Sequence, residues 1–349
     1  MDRVTCPIAT ESEGLLPMKR SKVSALAAML LAGGLVVALA APASADPVPQ
    51  PKDLVGVGSD TSMFIMNNVA DGVRVGASFV PGYNATAGAR LVSFDAFKPD
   101  GPQNIVLKAG TAAIARPNGS TAGKNTLYGA GNNPNVNWAR SSSGPNAAQN
   151  TAGLWHVPFA VDGLRLAVAT SSNAPASITA AQMVDIYKGN ITNWNQIGGA
   201  NGAIVPMVPQ TGSGTRQFFL DTLQALNGGV AVVLAATVVE VQEHDPIPVA
   251  ANNNAVAPFS TGRFATGQGI KLVTGGNSFL QQRAMYSVVR GADLTKPWFT
   301  SIFGAGGFLC SGGASALIAA GGMQQLATAD DGGVCGIPTQ TATTNFTTL

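Results

Sequence analysis

With 46% hydrophobic and only 11% charged residues over 349 positions, the chain is too apolar for a disordered protein and long enough for more than one core. Twenty basic residues against eighteen acidic ones give no basic footprint, so no nucleic-acid partner is expected. Two histidines and three cysteines leave few ligands of the zinc type, and no metal or other cofactor is expected.

Residues 1–17 carry no hydrophobic period and read as an upstream extension, with Met18 as an alternative start. Met18-Lys19-Arg20-Ser21-Lys22 is a basic segment, residues 23–41 form an apolar run, and Ala43-Ser44-Ala45 is a small-residue cleavage site. Residues 1–45 therefore read as a secretory signal peptide with its extension. An uncleaved anchor is the competing reading on length, and the Ala-x-Ala site favours cleavage before Asp46. The expected location is secreted, extracellular or cell-wall associated.

Cleavage removes four basic residues (Arg3, Lys19, Arg20, Lys22) and three acidic ones (Asp2, Glu11, Glu13), leaving sixteen against fifteen. It also removes Cys6. Cys310 and Cys335 remain together in an oxidising compartment, where a disulfide is expected, and its role is structural because the Cys-x-x-Cys redox spacing is absent.

Residues 46–53 are Pro-rich and read as a linker. Leu54-Val55-Gly56-Val57-Gly58 reads as a buried strand that breaks at Ser59-Asp60-Thr61-Ser62, and residues 63–73 then read as a helix. A second polar turn, Arg116 to Gly123, follows an apolar stretch containing Ile114. A third, Arg140-Ser141-Ser142-Ser143, follows Val136 to Ala139. Residues 119–126 are one residue short of a nucleotide-binding P-loop, and Asn125 stands where Ser or Thr would hold magnesium, so nucleotide hydrolysis is discarded.

Residues 155–169 read as a strand with a turn at Asp162-Gly163. Thr179 and Gln182 form a capping box for a helix ending near Gly189. Val205, Met207 and Val208 then form a short strand, Gly212-Ser213-Gly214-Thr215 breaks it, and Phe219, Leu223 and Leu226 mark one face of a helix that opens at the break. Unpaired backbone N–H groups, a positive helix end and glycines that allow close approach make such a turn an anion cradle; simple capping by Ser213 is the competing reading. Four Ser/Thr turns of this kind suggest convergence on one ligand.

A Val-rich stretch, residues 230–241, precedes Glu243-His244-Asp245, which reads as a solvated or structural ion pair. Pro158-Phe159 and Pro258-Phe259 are paired hinge candidates, and residues 284–290 form a further strand.

The order VGVGSDTS, RPNGSTAG, VNWARSSS, PFAVDGLRLAV, ITNWNQIGG, QTGSGTRQFFL and APFSTGRF resembles the phosphate-binding protein of bacterial phosphate ABC transporters, within the type 2 periplasmic-binding-protein superfamily. The resemblance covers most of residues 54–340. It implies an α/β fold of two lobes joined by two crossing segments, lobe 1 from 54–157 and 258–349 and lobe 2 from 158–257. A tetrahedral oxyanion such as inorganic phosphate would be held between the lobes. By position the contacts would be Asp60, Thr61 and Ser62; Ser120 and Thr121; Ser141 and Ser142; and Gly212, Ser213, Gly214 and Thr215.

The sequence departs from that family at Pro209 and Thr211, where Arg and often Asp stand. It departs again at Ser142, where a carboxylate accepts the proton of hydrogen phosphate. Arg140 or Arg216 then supplies the positive charge and Asp60 the acceptor. An ABC permease is the implied partner, although no cysteine for lipidation follows the apolar run, and the chain is expected to be monomeric and not an enzyme. The alternatives are an extracellular binding or interaction protein with a drifted cleft, and a serine hydrolase built on Ser213. The hydrolase lacks a Gly-x-Ser-x-Gly elbow and has only His156 and His244 as bases.

Overall fold

The computed structural model describes residues 46–86, 88–266 and 269–349, so the expected signal peptide lies outside the described residues. Among those described, no helix is long and apolar enough to cross a membrane.

The strand β1 (Leu54–Gly58) is wholly buried and pairs in parallel with β2 (Leu91–Ser93) on one side and β3 (Trp138–Ser141) on the other. Gly56 is required there, because a Cβ would sit 2.1 Å from the Trp138 ring, and that indole fills the space instead. The helix α1 (Met63–Asp71) follows the first polar turn. It ends two residues earlier than the sequence suggests, since Gly72 takes a positive φ of 86° and stops it. The helix α2 (Ser120–Asn125) begins within the expected second turn, so Ser120 to Gly123 are helical.

The long strand β4 (Leu154–Ala169) is continuous. The expected turn at Asp162-Gly163 does not form, because both residues are paired in register with Arg283 and Gln282. Gly163 is there for close approach: a Cβ would meet Thr261 Oγ1 at 2.8 Å. The helix α3 (Ala180–Lys188) has the expected capping box and ends at Gly189 with φ 79°.

Next come β5 (Val205–Pro209) and α4 (Gly214–Leu226), the strand and helix expected around the Gly-Ser-Gly-Thr break. Phe219 and Leu223 are fully buried, whereas Leu226 is 46% exposed, so the apolar face ends one turn early. The Val-rich stretch is largely irregular and reaches strand form only at β6 (Val239–Val241). The remaining strands of the main sheet are β7 (Ala255–Ser260), β8 (Ile270–Leu272), β9 (Gln281–Arg290) and β10 (Gln324–Gln325), with α5 (Gly312–Ala320) before the last; two small hairpins, Val73–Val75 with Ser78–Val80 and Asn104–Ile105 with Ile114–Ala115, lie outside it.

These ten strands form one mixed sheet in the order β6-β5-β7-β4-β9-β3-β1-β2, with β8 and β10 also paired to β4. β4 and β9 run antiparallel along most of their length, with a bulge opposite Met285 and Tyr286. The extra residue is Phe159, beside Pro158, which has no N–H to give to the ladder. Pro158 and Pro258 thus lie inside strands.

The apolar interior divides along β4. Leu154, Val157, Phe159 and Val161 join a core built from residues 54–161 and 284–335. Leu164, Leu166 and Val168 join a second core built from residues 164–279. Asp162-Gly163 marks the changeover. The Cys310–Cys335 disulfide lies in the first core and closes a loop of 25 residues, which contributes about 3.5 kcal/mol by the chain-entropy relation. Asp46, at the start of the expected linker, is tied down by Arg116 Nη2 at 2.7 Å.

Candidate functional site

Each polar turn is carried by a rigid element. β1 and β3 are parallel neighbours, so residues 59–62 and 141–143 emerge at the same end of the sheet. β5 delivers Gly212 to Thr215 at the start of α4, and Ser120 and Thr121 open α2. The four turns meet. Thr61 Oγ1 lies 3.2 Å from Thr215 Oγ1, and Ser120 Oγ lies 3.2 Å from Ser142 Oγ. Ser142 N–H donates to Ser120 Oγ at 3.0 Å, and Thr121 N–H donates to the Gly212 carbonyl at 3.0 Å.

Two glycines make this approach possible. A Cβ on Gly214 would lie 2.0 Å from Ser120 Oγ and 2.4 Å from Ser142 Oγ, and one on Gly119 would lie 2.4 Å from the Gly212 carbonyl oxygen. Ser213 caps α4, its Oγ accepting the Arg216 N–H at 3.0 Å. That leaves the N–H of Thr215 without an intrahelical partner, at the positive end of a thirteen-residue helix.

Charged side chains from elsewhere in the chain complete the cluster. Arg283, on β9, donates from Nη1 to Thr215 Oγ1 at 2.8 Å, while its Nε and Nη2 hold Asp162 Oδ2 at 3.0 and 2.9 Å. The other oxygen of Asp162 accepts from Ser260 Oγ at 2.7 Å and from the Gly262 N–H at 3.2 Å. The Asp-Gly of β4 therefore anchors a buried guanidinium against the start of α4. Glu243 Oε1 accepts both the Thr215 N–H and the Thr61 hydroxyl, each at 3.1 Å.

Asp60 Oδ1 lies 2.9 Å from His244 Nδ1 and 3.5 Å from Arg263 Nη2, and the Arg263 guanidinium stacks over the Phe64 ring at 3.9 Å. Burial alone would raise the Asp60 pKa. The Arg263 charge, the His244 hydrogen bond and charge, and the Arg140 charge together outweigh it and hold the carboxyl below its ordinary range, so Asp60 is an ionised acceptor. Lys124, buried on α2, donates to Ser143 Oγ at 3.0 Å; burial lowers its pKa to about 7. Ser59 Oγ, Ser62 Oγ, His244 Nε2 and Glu243 Oε2 are buried and make no hydrogen bond among the described residues.

The structure thus brings together Asp60, Thr61, Ser62, Ser120, Thr121, Ser142, Gly212, Gly214 and Thr215. It sets three others apart. Arg140 is fully buried, and its donors go to the Gly58, Ser59 and Phe94 carbonyls and to Ser93 Oγ, so it stiffens the first turn from behind. Arg216 turns away to the Pro209 carbonyl at 2.7 Å and Glu240 at 2.8 Å. Ser141 Oγ closes its own turn on the Ser143 carbonyl. Neither histidine hydrogen-bonds to Ser213 among the described residues: His156 is buried with its edge to Tyr286, and His244 faces Asp60.

Sequence reasoning missed Arg283, Asp162, Arg263, Glu243 and His244 as members of the cluster. A signal existed for two of these elements. Arg283 directly precedes the apolar run Ala284-Met285-Tyr286, and Glu243-His244-Asp245 is a dense charged run in a chain with 11% charged residues. It reads as a solvated or structural ion pair; Glu243 and His244 are buried, and His244 pairs with Asp60.

A family model described as a PBP superfamily domain matches residues 115–344. Among solved structures, the fold is similar to a putative phosphate ABC transporter substrate-binding protein with bound phosphate from Clostridium perfringens. That similarity has 20% identity and a TM-score of 0.56, over 78% of this chain and 99% of that one. It is also similar to a high-affinity periplasmic phosphate-binding protein, PfluDING, bound with phosphate, at 17% identity and a TM-score of 0.50 over 79% and 91% of the two chains. No curated protein matches the sequence. The family match over residues 115–344, together with the mixed α/β sheet, means that this chain belongs to the periplasmic-binding-protein (PBP) superfamily and has its type 2 fold.

Proposed function

We propose that the chain is a solute-binding protein that captures phosphate, or a related tetrahedral oxyanion, between two lobes. With the apolar cores dividing at Asp162-Gly163 and again between Phe279 and Ala284, lobe 1 comprises residues 54–161 and 284–349 and lobe 2 residues 164–279, which moves the boundaries expected at 158 and 258. The observation that carries this reading is the start of α4. There the Thr215 N–H and the Thr61 hydroxyl converge on one anionic oxygen, and the Arg283 guanidinium touches Thr215 Oγ1. A helix N-terminus with convergent hydroxyls and a fixed cation is a site for an oxyanion. The proteins of similar fold that carry bound phosphate support the choice of ligand.

In this reading Arg283 takes the place of the positive charge that Arg140 and Arg216 do not deliver. Asp60, Thr61, Ser62, Ser120, Thr121, Ser142, Gly214 and Thr215 line the site, and Asp60 accepts the proton of hydrogen phosphate, which favours it over sulfate. In this reading the protein works by binding and is not an enzyme, and Ser213 caps α4, its Oγ accepting the Arg216 N–H. It is secreted, extracellular or cell-wall associated, acts as a monomer, and hands its ligand to an ABC permease.

Calorimetric titration of the mature protein with phosphate, sulfate and molybdate tests this. One-to-one phosphate binding is expected, weakened by Thr215→Ala about ten- to over a hundredfold through loss of a hydrogen bond to a charged ligand. Absence of binding by all three anions, in this protein and in its Glu243→Gln variant alike, would favour the second reading, a drifted cleft that serves an extracellular interaction. That reading has one observation on its side: the cradle is already filled by Glu243.

A further inference from the structure

Among the described residues, Glu243 is the only carboxylate that accepts a backbone N–H at the start of α4, and it does so as a ligand would. We propose that Glu243 is a built-in competitor of the oxyanion: its carboxylate occupies the anion position in the ligand-free protein, and phosphate binds only by displacing it. This inference rests on the phosphate reading above and goes beyond it by naming the residue that sets the affinity of the cleft.

Three observations carry it. First, Glu243 Oε1 consumes the two donors that an oxyanion needs, the Thr215 N–H and the Thr61 hydroxyl, at 3.1 Å each. A group that helped to bind the anion would leave those donors open. Second, the seat is a poor one for a carboxylate. Glu243 is 2% exposed, yet Oε2 is buried with no hydrogen bond among the described residues. A charged oxygen without a partner in the interior is costly, whereas a tetrahedral anion offers more acceptors to the hydroxyls around it.

Third, the carrying segment is latched to the cleft by polar contacts. The Glu243 N–H donates to Gln210 Oε1 at 2.6 Å, and the His244 ring meets Asp60 at 2.9 Å. His244 itself holds a positive φ of 56°, the only non-glycine residue to do so among those described. A backbone in that region is kept there by its contacts. When Glu243 leaves, the latch of residues 242–246 is free to go with it.

The consequence is quantitative. A tethered carboxylate competes at high effective concentration, and the apparent affinity for phosphate falls by the fraction of time the cradle is vacant. A plug seated nine-tenths of the time weakens phosphate about tenfold. A proton acceptor for hydrogen phosphate at the same position has the opposite sign, since its removal would weaken binding.

The test is phosphate titration by calorimetry of the mature protein beside Glu243→Gln and Glu243→Ala, with circular dichroism to verify folding. Glutamine keeps the shape and removes the charge. Both variants are expected to bind phosphate at least tenfold more tightly than the parent, a gain that includes the case in which only the variants bind. Equal or weaker binding by the variants, with the parent binding, overturns the competitor role and leaves the phosphate reading intact. No binding by any of the three overturns the phosphate reading, and the competitor with it.

A second measurement needs no substitution. Amide hydrogen exchange in the unmodified protein is expected to quicken at residues 242–246 as phosphate is added, while Thr215 stays protected. Slower exchange at residues 242–246 would overturn the proposal.

Discussion

Gly214→Ala adds one methyl group at the first residue of α4, in a place where the structure leaves no room. Its Cβ would lie 2.0 Å from Ser120 Oγ, 2.4 Å from Ser142 Oγ and 2.7 Å from Ser120 Cβ, where ordinary contact begins near 3.4 Å. Rotating Ser120 Oγ away relieves the first contact. It also sacrifices the acceptor of the Ser142 N–H and the bond between the two hydroxyls, each worth about 1 kcal/mol. The contact with Ser120 Cβ then remains, and it yields only if the start of α2 moves.

Overpacking of this kind costs about 1–3 kcal/mol, against a gain of at most about 1 kcal/mol for replacing a helical glycine. With the two sacrificed hydrogen bonds included, the net expectation is a loss of about 2–4 kcal/mol, read as a lower urea midpoint at unchanged slope. Gly312→Ala is a matched control, because Gly312 is also the first residue of a helix behind a serine and has nothing within 4 Å of its Cβ position. That variant should be neutral or slightly stabilised. Equal midpoints for the two variants would refute the close convergence of the four turns.

Lys124 gives a pH signature. Its pKa in the folded protein is lowered to about 7 from 10.5 by burial, so between those values the unfolded chain holds a proton that the folded chain has released. Stability must therefore rise with pH in that window, by up to about 1.4 kcal/mol per unit, and Lys124→Met should flatten the profile between pH 7 and 9. Urea midpoints measured across that range, with parallel curves for the two proteins, would contradict the assignment. Asp162→Ala removes the carboxylate that Arg283 grips and leaves a buried guanidinium without its counter-charge. A loss of about 3–5 kcal/mol is expected by chemical denaturation, and a loss under 1 kcal/mol would show that Asp162 does not anchor Arg283.

The local grammar of the site was legible in the sequence. The strand at 54–58, the strand-turn-helix at 205–226 and the capping box at Thr179 are all short-range patterns, in which apolar runs, glycine breaks and capping residues act on their immediate neighbours. The disulfide was legible because two cysteines remain once Cys6 is removed with the leader. What stayed hidden is long-range. Asp162-Gly163 has the composition of a turn, and only pairing with β9, about 120 positions away, holds it straight. Arg140 and Arg216 were candidates on charge alone, and charge does not reveal that backbone carbonyls and Glu240 already take their donors. Glu243 was the hardest to read, since a carboxylate at an anion site contradicts the rule by which such sites are sought.

Whether four separate turns hold a single oxyanion is read out by an amide-resonance titration of the nitrogen-15-labelled mature protein with phosphate. The amides of Thr61, Ser120, Ser142 and Thr215 are expected to shift together along one saturating one-to-one curve, with the Thr215 amide proton moving strongly as its acceptor changes from carboxylate to phosphate. Shifts confined to one turn, or none at any of the four while phosphate is in excess, would contradict a single site shared by the four turns.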